Sequence, residues 1–129
     1  MQTARIERTI LSNLLNNEEY VRTVMPFLKA DYFHDGSEKL VYNYIKSAIE
    51  KYNKLPTSEQ VIIDMNEAHN VPEPEFKSAV DIINSLNEQS ADLQWISDAT
   101  EKFCKDKAIY NAVADGIQII EGKDKTRTP

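Results

Sequence analysis

The segment DGSEKLVYNYIKSAIEKYNKLPT, residues 35–57, decides the fold. Leu40, Val41, Tyr44, Ile45, Ala48, Ile49 and Tyr52 recur at helical spacing and predict one broad apolar face. Lys39, Asn43, Lys46, Ser47, Glu50 and Lys51 fill the other side. Asp35 is the expected N-cap, and Glu38, three residues on, its capping-box partner. Asn53 and then Pro56 mark the end. About sixteen residues at 1.5 Å each make a rod of roughly 24 Å, the width of a small domain. An apolar face so wide has to be covered by several neighbours, so the segment reads as the central helix of an all-α bundle.

Upstream, Ile6, Ile10, Leu11, Leu14 and Leu15 predict a first helix over 3–16, ended by Asn16-Asn17 through a left-handed C-cap. A short helix follows from Glu18 to about Met25. Its first turn is acidic, Glu18 and Arg22 are spaced as an i,i+4 pair, and Pro26 closes it. Phe27, Leu28, Tyr32 and Phe33 then form an aromatic corner that reads as plain core. Downstream, Thr57 and Gln60 make a capping box opening a helix to about Ala68, with Val61, Ile62, Met65 and Ala68 facing in. A Pro-rich loop over 70–74 leads to a helix over 75–87, with Phe76, Val80, Ile83 and Leu86 on its inner face. Ser90 or Asp92 caps the last helix, expected to run to about Glu121 and to stop at Gly122.

That last helix is too long for the rest of the chain to cover. Leu93, Ile96, Phe103, Tyr110, Val113, Ile117 and Ile120 form one stripe, and Trp95, Ile109, Ala112 and Ile119 a second. The expected architecture is a helical globule over 1–90, a projecting interface helix over 91–121 and a polar linker or chain end over 122–129. Trp95, Phe103, Ile109, Tyr110, Val113, Ile117 and Ile120 are the candidate interface residues.

Composition narrows the function classes. The chain has 129 residues, a net charge of −6 and a pI near 4.9, with 41% apolar and 28% charged residues. That is one domain, large enough to bury a core without disulfide or metal. Its acidity argues against tight nucleic-acid binding, which rests on phosphate neutralisation. The single Cys104 excludes an intrachain disulfide and suits a reducing, cytoplasmic setting. The polar N-terminus does not read as a signal peptide, and no apolar run approaches a membrane span.

Catalytic constellations are missing from the sequence. Gly36, Gly116 and Gly122 are isolated, and Gly122-Lys123 lacks the remainder of a phosphate-binding loop. His34 and His69 lie far apart, without metal-ligand spacing. Asp64 and Glu67 share a helix face that reads as solvated, and mid-helix Cys104 reads as a structural thiol. No catalytic, cofactor-binding or metal-ligating residue is assigned.

The order of these features resembles the N-terminal domain of DnaB-type replicative helicases, most of all those of T-even-type phages. Asp31-Tyr32-Phe33 matches that family's acidic-aromatic-aromatic corner. Leu40-Val41-Tyr42 matches the apolar triplet of its central helix, and Asn53-Lys54-Leu55-Pro56-Thr57 its following turn. Glu38 departs from the pattern, since many bacterial members carry His there. The resemblance implies a non-catalytic domain at the head of a hexameric ring helicase, with the long helix as the first arm of a hairpin that pairs with a neighbour. It further implies a collar that docks primase or a helicase loader, and a parent protein using ATP and Mg²⁺ in a phage-infected cytoplasm. The competing readings are a small all-α phage regulator of a host factor and, with less support, a carboxylate-based hydrolase.

Overall fold

The computed structural model describes residues 2–86 and 91–123, with side chains over 6–86 and 91–117. Among these residues six α-helices and one 3-10 turn follow in order: α1 Gln2–Asn16, α2 Glu18–Val24, the 3-10 turn Ala30–Tyr32, α3 Gly36–Tyr52, α4 Ser58–Ala68, α5 Glu73–Ser85 and α6 Leu93–Lys123. No strand occurs among the described residues. The protein is an all-α bundle with a long C-terminal helix. α3 is central, packed against α1, α4 and α5, while α6 lies across α1, α2 and the 3-10 turn.

Local chemistry sets most helix ends. Thr57 and Gln60 form the reciprocal capping box at the start of α4, with bonds of 3.1 and 2.8 Å. Asn53 ends α3 in the left-handed region at φ 56, which Asn tolerates better than most residues. Asp92 opens α6 by accepting from the Trp95 amide at 3.0 Å, whereas Ser90 lies outside the described residues. Asn17 does not act as a left-handed C-cap. Its backbone is extended, and its side chain caps α2 by accepting from the Tyr20 amide. Nor does Gly122 stop α6, which runs to Lys123. An isolated glycine lowers helix propensity by roughly 1 kcal/mol without supplying a stop.

The core selects a different arc of α3 from the expected one. Val41, Tyr42, Ile45 and Ala48 are buried, with Leu40, Tyr44 and Ile49 partly so, while Tyr52 is 54% exposed. Tyr42 goes inward because both parts of its side chain find partners there. The ring lies 5.2 Å from Phe33, and the hydroxyl donates to the Leu28 carbonyl at 2.9 Å. Burial pushes the Tyr42 phenol up to about 12. α5 is likewise rotated, burying Ala79, Ile82 and Ile83, with Phe76 and Leu86 at the margin of the core.

Three polar contacts fix α6 on the bundle. Asn13, buried on α1, accepts from the Ala91 amide at 2.9 Å just before the helix begins. The Tyr20 hydroxyl on α2 meets Thr100 Oγ1 at 2.6 Å inside the core. Further along, Asn111 Nδ2 donates to the Asp31 carbonyl at 3.4 Å. Ile96, Thr100, Phe103 and Cys104 are thereby buried, so the first turns of α6 belong to the same core as α1–α5.

Candidate interaction surface

The face of α6 turned to solvent changes character along its length. Over the bundle it runs Asp98, Lys102 and Asp106, all exposed, with Lys102 paired to Asp106 at 2.8 Å. The same ridge continues as Ile109, Val113 and Ile117, spaced four residues apart, with Tyr110 beside them. These four are 65%, 57%, 51% and 67% exposed, respectively. The opposite face of the helix touches the bundle as far as Asn111 and makes no further polar contact among the described residues. Four large apolar side chains thus stand together over about 12 Å of helix, at 1.5 Å per residue. Single exposed apolar residues are ordinary, but a contiguous apolar ridge marks an interaction site.

The candidate interface residues separate into groups. Ile109, Tyr110, Val113 and Ile117 form the exposed ridge. Phe103 leaves the set, because it turns inward to 6% exposure with its ring 6.0 Å from Phe33. Phe103 and Tyr110 are seven residues apart on one stripe, yet only Phe103 is buried against the bundle. Trp95 is 55% exposed and therefore does not plug the core, but the polar stretch 98–106 separates it from the ridge. The Ile120 side chain lies outside the described residues. Lys107 marks the transition, with its ammonium 6.0 Å from the Phe103 ring and 5.7 Å from the Tyr110 ring.

Groups with chemical potential elsewhere lie apart from the ridge. His34 and His69 are exposed, and His69 serves as the left-handed C-cap of α4 at φ 57. Asp64 and Glu67 are exposed, and no metal-binding cluster occurs among the described residues. Burial pushes the Cys104 thiol up to about 11, which keeps it protonated and unreactive at neutral pH.

The buried carboxyl pair Glu7 and Glu38 was not anticipated. Glu38 is not a capping-box partner. It turns inward to 2% exposure and accepts from Arg8 Nε at 2.6 Å, while Asp35 caps α3 by accepting from the Ser37 amide. Glu7 is 1% exposed. Helical spacing does contain the signal. Glu7 shares the face of Ile10, Leu11 and Leu14, and Glu38 that of Val41, Tyr42 and Ile45.

The comparisons with known proteins agree with this architecture. A family model described as the DnaB-like helicase N terminal domain matches residues 1–85. The fold defines a helical domain carrying an unpartnered ridge, and the chain belongs to the DnaB-like helicase N-terminal domain family. It is also similar to a DnaB-like replicative helicase of Enterobacteria phage T4, at 28% identity over 110 residues. That match covers 85% of this chain and 23% of the relative, so the chain spans about a quarter of the relative's length. Among the described residues, no helix is long and apolar enough to cross a membrane.

Proposed function

We propose that this chain is the assembly and partner-docking domain of a hexameric replicative helicase and is itself non-catalytic. The observation carrying this reading is the exposed apolar ridge Ile109, Tyr110, Val113 and Ile117 on the solvent face of α6. Fully burying a side chain of this kind contributes roughly 1.5–3 kcal/mol, so the ridge favours association. A second copy is its occupant. A two-fold antiparallel pairing of two α6 helices would bury both ridges at once, since in such an interface each patch meets itself. Repeated around a ring, these pairings would build a collar, and the outer faces of the bundles would present docking surfaces to primase or a loader. ATP and Mg²⁺ would belong to another part of the parent helicase. Family membership and the printed description of the phage relative support this assignment.

The test is sedimentation velocity of the chain and of the double variant Val113→Asp, Ile117→Asp. The unmodified chain is expected to self-associate at micromolar concentration. The variant should sediment as a monomer with its helical circular dichroism retained. A monomeric unmodified chain at high micromolar concentration rules the reading out, and so does a variant that still associates.

A further inference from the structure

Glu7 on α1 and Glu38 on α3 place two carboxyl groups in one buried seam. Glu38 is paired with Arg8, which also donates to Ser85 Oγ at 3.2 Å. Glu7 Oε1 accepts weakly from the His34 amide at 3.4 Å. Glu7 Oε2 is buried and meets no donor among the described residues. Glu38 lies in the same seam, since Arg8, next to Glu7 in the chain, holds it at 2.6 Å and the His34 amide, four residues before Glu38, reaches Glu7; an ionised Glu38 is itself an acceptor. Two carboxylates in contact repel, and two acceptors form no hydrogen bond unless one of them carries a proton. Arg8, the cation in contact, is already committed to Glu38. The other charged group facing Glu7 is Lys107 on α6, whose ammonium lies by the Phe103 and Tyr110 rings.

From this geometry we infer that Glu7 is held as the neutral acid and donates its proton to Glu38, making the seam between α1 and α3 proton-linked. Loss of that proton puts a second anion beside Glu38 where both side chains are buried, and the seam loosens. Lys107 on α6 is the cation whose charge opposes that loosening. The pKa has the matching direction. Burial first, then the bond to Glu38 and its charge, push Glu7 up from 4.5 to about 8, against the His34 amide and Lys107.

The sign of the linkage follows. Below pH 4.5 Glu7 is protonated whether the chain is folded or not. Between 4.5 and about 8 only the folded chain keeps the proton, so stability falls as pH rises across that window and then levels. Carbon-13 NMR of the native chain reads the group directly. A Glu7 carboxyl midpoint above pH 7 is expected, and one in the ordinary carboxylate range overturns the inference. Thermal unfolding of the native chain should show a midpoint that drops between pH 5.5 and 9. Glu7→Gln keeps a donor to Glu38 and an acceptor for His34 but cannot ionise, so most of that drop should vanish. An equal drop in both proteins refutes the idea. Should the variant not fold, the titration of the native chain still decides. Glu38→Gln, by removing the facing charge, should lower the Glu7 midpoint, and an unchanged midpoint counts against the pair.

Discussion

Inside this bundle a single hydroxyl can hold two helices in register. Tyr20 and Thr100 meet at 2.6 Å where neither reaches water, and burial raises the Tyr20 phenol above its ordinary value of 10.0. Removing one member leaves the other without its partner, which typically costs about 1–3 kcal/mol, whereas removing both costs less. Tyr20→Phe and Thr100→Val are therefore each expected to lower stability by about 1–2 kcal/mol. The double variant should lose clearly less than their sum. Urea denaturation of the three variants gives the coupling directly, and strict additivity would show that the hydroxyls act independently.

For the helices, stability is set by ends as well as faces. Thr57→Ala removes the side-chain half of the α4 capping box, which costs about 1 kcal/mol at exposed sites of this kind. A fall of that size in urea denaturation is expected, with little change at α6. Gly116 offers the opposite test. A Cβ built there meets nothing within 4 Å, and its φ lies outside the left-handed region. Gly116→Ala should therefore gain up to roughly 1 kcal/mol of helix propensity. Because the far half of α6 is not covered by the bundle, the gain should appear mainly as slower amide exchange around residue 116. A rise in global unfolding free energy with unchanged local exchange would contradict this placement.

At the scale of the whole molecule, the acidic charge and the apolar ridge predict different salt responses. Self-association through Ile109, Tyr110, Val113 and Ile117 rests on apolar burial. Raising salt from about 0.1 to 0.5 M roughly halves the Debye length from about 10 Å but leaves that burial intact. Association is expected to persist across this range, and dissociation in salt would point to an ionic interface instead. Duplex DNA is expected to bind no tighter than about 1 µM at physiological salt, since a net charge of −6 gives little phosphate neutralisation. Fluorescence anisotropy with a labelled duplex measures this, and sub-micromolar binding would overturn it.

What the sequence determined by itself was local. Asp35, Asn53 and Thr57 act within a turn of where they sit, so the ends of α3 and the start of α4 could be read from neighbouring residues. The all-α class followed from a period that only a helix satisfies. A broad apolar arc, however, does not say which of its edges will be covered. Tyr42 rather than Tyr52 entered the core because Phe33 and the Leu28 carbonyl wait there. Glu38 left its expected cap because Arg8 reaches it from α1. Phe103 and Tyr110 share one stripe of one helix, yet the first is core and the second is surface. The tertiary structure decided that, because the bundle is shorter than α6, and where it ends depends on contacts made by residues far away in sequence.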